Sequence, residues 1–371
     1  RMMGTDSASG TFPEATYILP LKWHSDSGLD DLAEYLGHVV KWVRVIVVDG
    51  SEPDLFENHA ARFPSAVVHL RPVPMPGANG KVAGVLTGVH AARDELLVIA
   101  DDDVRYERIQ LEQVLDLLER ADIVRPQNYL APLPWHARLD TARSLVNRAF
   151  GADYPGTFAL RRSVLMAAGG YDAHVLFENL ELLRTIDAAG GREIRANDVF
   201  VRRLPPTFKH FSGQRVRQAY DDFAQPLRLA VELCYAPLVL AGIYRAVRGR
   251  PGLAFAWPFA AWAIAEIGRR RDGGAQVFGG GAALWAPVWV LERALSIWVA
   301  AGHRVAGGMP YAGTKLKVSA HSASTLRRRL RNRSFTLEPD MLPNVRGNDQ
   351  NPSAPRSASL ESTYGVGDPA A

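Results

Sequence analysis

Between residues 15 and 126 the chain alternates short apolar runs with longer stretches of helical period. ATYILP (15–20), VRVIVVD (43–49), AVVHL (66–70) and ELLVIA (95–100) read as buried strands. The segments at 29–41, PDLFENHAARF, KVAGVLTGVHAAR (81–93) and 107–120 read as helices, and ADIVRP (121–126) closes the series as a further strand. This alternation predicts an α/β fold with a doubly wound, mostly parallel sheet. Ligands of such sheets bind beyond the carboxyl ends of the strands. Asp49 ends one strand and Asp101, Asp102 and Asp103 end another, so both point to one crevice.

Residues 127–212 are less regular, with PWHARLDTARSLVNRAF, a turn-rich DYPGTFALRRS, a helical FENLELLRTIDAAGG and a strand-like REIRANDVFVRR. After residue 213 three apolar stretches follow, at about 229–244, 252–267 and 282–300. Each is shorter or more interrupted than the roughly 20 residues of a spanning helix. The first carries Glu232 and the second Pro258. The third has Leu284, Val288, Leu291, Leu295 and Trp298 on one helical stripe, with Glu292 and Arg293 off it. Two spans, or a re-entrant hairpin with an interfacial helix, are expected; a soluble helical subdomain is the alternative. The resulting division is a disordered leader (1–13), a catalytic domain (14–220), an apolar helical, membrane-associated region (221–320) and a disordered tail (335–371).

Composition changes this picture little. The chain has 371 residues, 47% of them apolar and 22% charged, with a net charge of +4, too mild a basic excess to indicate nucleic acid. The basic clusters RAVRGR (245–250), GRRR (268–271) and TLRRRLRNR (325–333) lie late in the chain and suit anionic lipid. The start lacks the apolar core of a secretory signal, and the catalytic domain is expected to face the cytoplasm at a membrane. The one cysteine, Cys234, lies in an apolar run and reads as a core or lipid-facing residue.

The candidate chemistry is concentrated in LLVIADDDVRYER (96–108). Adjacent carboxylates at the end of a buried strand repel one another unless a cation joins them. Helix capping needs only one Asp. On a strand's pleat Asp101 and Asp103 face one way and Asp102 the other, a two-carboxylate claw for a hard divalent cation. Residue chemistry alone leaves capping and metal binding both open.

Six segments over about 15–220 carry a resemblance in a fixed order: ILP, VIVVDGS, GANGKVAGVLTGVHAA, IADDDV, GGYDAHVLFENLELLRTIDAAGG and QRVRQ. Together they resemble an inverting family 2 glycosyltransferase of the glycosyltransferase A fold, similar to the ceramide glucosyltransferase type. The resemblance implies a nucleotide-sugar donor, a lipid or glycan acceptor at a membrane surface or bilayer, and Mg2+ or Mn2+ as cofactor. It implies that Asp101 and Asp103 hold the metal, with Asp101 also reaching the ribose, and that Asp49 contacts the base. Lys81 is implied in nucleotide binding, with Gln214 and Arg217 on the diphosphate.

An inverting transfer needs a general base for the acceptor hydroxyl. The family takes it from an E-D pair, which here is Glu178-Asn179, so Glu178 is the first candidate and Glu181, three residues along the helix, the second. Gln218 stands where the Q-x-x-R-W motif has tryptophan. Trp135 and His136 fall where the acceptor is expected, as contacts to it or as loop packing. Two rival readings are a catalytically degenerate nucleotide- or glycan-binding member and a sugar-phosphate nucleotidyltransferase. The latter lacks support, because LKWHSDSG is not the Gly-rich, Arg-containing loop it requires.

Overall fold

Alternation along the central strands divides the apolar residues between two cores. In strand β1 (Ala15–Leu21) Tyr17 and Leu19 enter one core and Ile18 the other. β2 (Arg44–Asp49) does the same with Val45 and Val47 against Ile46 and Val48. Helix α1 (Leu29–Val39) closes the first core, α2 (Pro53–Arg62) and β3 (Val67–Leu70) follow β2, and α3 (Gly80–Ala91) closes the second core with Val82, Val85 and Leu86. The computed structural model describes residues 14–332, so the expected leader and tail lie outside the described residues.

The remaining elements of the sheet domain are β4 (Leu96–Ala100), β5 (Val104–Arg105), α4 (Arg108–Leu117), β6 (Ile123–Leu130), α5 (Ala137–Ala149), β7 (Thr157–Arg161), α6 (Arg162–Ala167), α7 (Glu178–Ala188), β8 (Glu193–Arg203) and α8 (Phe208–Asp221). The strands form one sheet in the order β3-β2-β1-β4-β7-β6-β8-β5. The β3-β2-β1-β4 half is parallel, β7 runs antiparallel to both neighbours, and β8 is parallel to β6. The expected mostly parallel, doubly wound sheet is present. The short β5 leaves β4 for the far edge, where Val104 and Arg105 pair with Arg203 and Arg202 of β8. That crossing carries Asp101–Asp103 over the top of the sheet.

The apolar region forms α9 (Pro226–Leu233), α10 (Tyr235–Val247), α11 (Gly252–Arg270) and α12 (Ala286–Val305). Two stretches, Pro226–Val247 and Ala282–Val305, are long and apolar enough to cross a membrane by length and composition. These helices are seated on the sheet domain. Leu139 and Leu145 of α5, Phe211 of α8, Ala265 of α11 and Trp289 of α12 share one core. Gly268 lies so close to α5 that a Cβ there would collide with the Leu145 carbonyl oxygen. Buried Arg293, midway along α12, pairs with Asp222 at 3.3 Å and Glu232 at 3.7 Å, and Arg228 joins the same acids. The predicted stripe of Leu284, Val288, Leu291, Leu295 and Trp298 faces outward, as do Leu240, Phe255 and Phe259. Cys234 is exposed among them.

The chain then returns. A hairpin of β9 (Met309–Tyr311) and β10 (Thr314–Leu316) and helix α13 (Ala323–Arg331) follow, with Val318 bridging to Val175 and α13 lying on α7. The sequence placed residues 309–320 in the apolar block, whereas they rejoin the sheet domain.

Candidate active site

Strand β4 ends at Ala100, and Asp101–Asp103 form the turn into β5 rather than a continued pleat. Asp101 and Asp103 nevertheless face one side, because both bond the Arg203 guanidinium at 3.1 and 2.8 Å. Asp102 turns away to the indole of Trp23. Gly156 leaves the room this turn needs: a Cβ there would lie 2.6 Å from Asp101 Oδ2 and 3.0 Å from Arg203. Burial pushes the Asp103 carboxyl up to about 6, with Asp101 and Asp102 adding to the shift and Arg203 opposing it.

Helix α3 starts at this turn. The Asn79 side chain caps it by accepting from Lys81 N, which directs Lys81 into the crevice. Lys81 Nζ lies 2.6 Å from Asp101 and 3.0 Å from Glu178. Burial works against its charge, but those two carboxylates hold it above the ordinary lysine range. Glu178 opens α7, with Arg217 at 4.0 Å. Burial would raise its carboxyl, yet Lys81 and Arg217 hold it below the usual value. Arg217 in turn stacks on the Tyr311 ring, 4.8 Å from its centroid.

These groups line a cavity of about 770 Å3 at the carboxyl ends of β1, β2 and β4. One face of α8 supplies Gln214, Arg217, Gln218 and Asp221 to it. A smaller cavity of about 100 Å3 shares Asp103, Arg203 and Gln214 and is walled by Asp140, Arg143 and Asp153. Gln218, in the place of the expected tryptophan, accepts from Arg215 at 2.6 Å.

Of the sequence-derived candidates, Asp101, Asp103, Lys81, Glu178, Gln214 and Arg217 meet in the large cavity. Asp49 does not. It is fully buried, accepting from Ser51 N at 2.8 Å and contacting His59 at 2.6 Å and His69 at 3.1 Å. Its carboxylate is bonded inside the domain and does not line the large cavity. Glu181 is also fully buried and turned from the cavity, bonding the backbone N–H of His321 at 2.7 Å and its ring at 2.8 Å. A carboxylate so enclosed does not line the large cavity. Trp135 and His136 stand apart in an aromatic cluster with Phe208, His136 bonding the Pro206 carbonyl at 2.9 Å. They pack a loop and line neither cavity.

Sequence reasoning missed Arg203, Tyr311 and Asp221. Asp221 had a signal, lying four residues after Arg217 and seven after Gln214 on one helical face. Arg203 and Tyr311 had none, because strand pairing and the returning hairpin bring them in.

Residues 29–165 match the family model described as Glycosyl transferase family 2. No curated protein matches the chain. Among solved structures, the mannosyltransferase PcManGT from Pyrobaculum calidifontis, in complex with GDP-Man and Mn2+, is similar at 19% identity and a TM-score of 0.47, over 77% of this chain and 87% of that one. Glucosyl-3-phosphoglycerate synthase from Mycobacterium tuberculosis, with Mn2+ and UDP-glucose, is similar at 18% identity and a TM-score of 0.38, over 54% of this chain and 74% of that one. Likeness at these levels adds no weight beyond the family match, and neither singles out the ceramide glucosyltransferase type.

Proposed function

We propose, from the match of residues 29–165 to the family 2 glycosyltransferase model, that the chain carries out an inverting transfer of a sugar from a nucleoside diphosphate donor to a membrane-associated lipid or glycan. The observation that carries this reading is the meeting of Asp101, Asp103, Lys81, Glu178 and Arg217 in one cavity large enough for a nucleotide sugar. Asp101 and Asp103 would hold Mg2+ or Mn2+. Their fit to a hard cation rests on the crowding of Asp101–Asp103, where Arg203 leaves Asp103 short of compensating charge. A bound divalent metal supplies charge against the leaving diphosphate. Lys81, at the N-terminus of α3, and Arg217 bring fixed positive charge to the same place. Glu178, kept ionised by both cations, orients the acceptor hydroxyl by accepting its hydrogen bond.

Membrane association belongs to the same reading. The apolar helices lie along the sheet domain with their outer face exposed, and the two candidate spans carry buried charges, Glu232 and Arg293, that pair with each other and with Asp222. This arrangement suits helices lying in the interface rather than crossing it. It keeps the domain and the arginine-rich α13 on one side of the membrane.

The test is a screen of nucleotide sugars, GDP-mannose and UDP-glucose first, with Mg2+ or Mn2+ and membrane lipid extract. Metal-dependent transfer is expected. Tight nucleotide binding with no turnover of any donor would favour the degenerate binder instead.

A further inference from the structure

Glu178 is well placed and poorly suited to remove a proton. Two cations hold its carboxyl low, and a weak base gives little drive to proton transfer. The neighbouring position of the expected acidic pair is Asn179, which accepts from Lys81 at 3.3 Å and donates to the Pro155 carbonyl at 3.1 Å. Neither contact supplies a base.

Asp221 lines the same cavity from the end of α8. Its Oδ1 is buried with no hydrogen-bond partner among the described residues. Ser319 Oγ takes its backbone carbonyl at 2.9 Å and leaves the carboxylate alone. It is the last residue of α8, where the helix dipole disfavours negative charge. The charged groups facing it are Arg217 on its own helix, Glu178 on α7, Arg293 on α12 and Arg143 on α5. An unpartnered carboxylate oxygen near the ion pair of Glu178 and Arg217 is free to take a proton. Burial pushes its carboxyl up to about 7, with Glu178 adding and the three arginines opposing. Two carboxylates of one cavity are thus driven apart, one into a permanent anion and one into a base matched to neutral pH.

We propose that Asp221 is the general base of the glycosyl transfer proposed above, with Glu178 orienting the hydroxyl that Asp221 deprotonates. The hydroxyl oxygen bonds to the anomeric carbon as its proton passes to the Asp221 carboxylate. The bond from that carbon to the diphosphate oxygen breaks, and its electron pair leaves with the nucleoside diphosphate. The anomeric configuration inverts.

Asp221→Asn and Glu178→Gln are compared with the parent on GDP-mannose and UDP-glucose with Mn2+ and lipid extract, across about pH 5 to about pH 9. Asp221→Asn is expected to lower turnover by roughly two to four orders of magnitude and to remove the acidic inflection near neutrality. Calorimetric binding of GDP and UDP with Mn2+ should change less than about tenfold. Glu178→Gln also lowers turnover but keeps the inflection, displaced downward by loss of the neighbouring negative charge. An inflection retained in Asp221→Asn overturns the assignment. Carbon-13 titration of aspartate carboxyls reads the same group without substrate. A resonance titrating near neutrality that disappears in Asp221→Asn supports the proposal, while its absence from the parent overturns it whatever the turnover. A parent that shows the titration yet turns over no donor overturns the glycosyl transfer itself, and the base role falls with it.

Discussion

Asp49 and Asp101 both follow the apolar run of a parallel strand, and their neighbours decide what each carboxylate does. His59, His69 and Ser51 N enclose Asp49 and hold its carboxyl well below the usual range despite burial. A lowered folded pKa stabilises above the unfolded value of 3.8 and is lost as pH falls through the folded one. Asp49→Asn is expected to cost about 1–3 kcal/mol in urea unfolding at neutral pH and to leave nucleotide affinity unchanged in the folded protein. Full stability with lost nucleotide binding would return Asp49 to the base. Asp103→Ala should instead keep the fold, because a turn carboxylate lining the cavity belongs to no apolar core. Its Mn2+ affinity, read by calorimetry, should fall by on the order of 10- to 100-fold or more. Asp221 carries the opposite sign to Asp49. Its raised pKa gives stability that is present below 3.8 and lost as pH rises through about 7. Asp221→Asn should therefore gain on the parent in denaturant midpoint across that window. No gain would show that its carboxylate is not strained by burial.

Helices α5, α8 and α11 work as elements by presenting different faces to different neighbours. α8 turns Gln214, Arg217, Gln218 and Asp221 to the cavity while Phe211 enters the core shared with the apolar helices. The chemistry and the seat of those helices are thus fixed by one rigid rod. α11 reaches α5 through Gly268, and buried Arg148 of α5 locks the crossing by donating to the Gly268 carbonyl at 3.1 Å and the Arg271 carbonyl at 2.6 Å. Gly268→Val should force the helices apart, with a loss of about 1–3 kcal/mol or more in thermal or denaturant unfolding. Unchanged stability would mean that α11 is not seated on the domain.

At the scale of the whole molecule, a charged cavity and an apolar face occupy one body. Leu240, Phe255, Phe259 and Leu295, on three helices that pack on one another, are all exposed. The protein is expected to float with vesicles containing anionic lipid and to be released by alkaline carbonate, as an interfacial protein is. A double change of Leu240→Glu and Phe259→Glu should weaken flotation while nucleotide binding persists. Resistance to carbonate would favour spanning helices.

The sequence by itself determined the elements, the mostly parallel sheet and the crevice, because apolar period and strand ends are local properties. It also singled out Asp101, Asp103, Lys81, Glu178, Gln214 and Arg217, whose motifs are short and continuous. Tertiary structure alone decided which carboxylates stay available. Asp49 is silenced by histidines ten and twenty residues away, and Glu181 by His321, far along the chain. Arg203 reaches Asp101 and Asp103 only through the pairing of β5 with β8, and Tyr311 reaches Arg217 only because the chain returns after the apolar helices. Each of these depends on which distant groups share one small buried volume, and burial and charge there set the chemistry of a carboxylate more strongly than its own neighbours in sequence do.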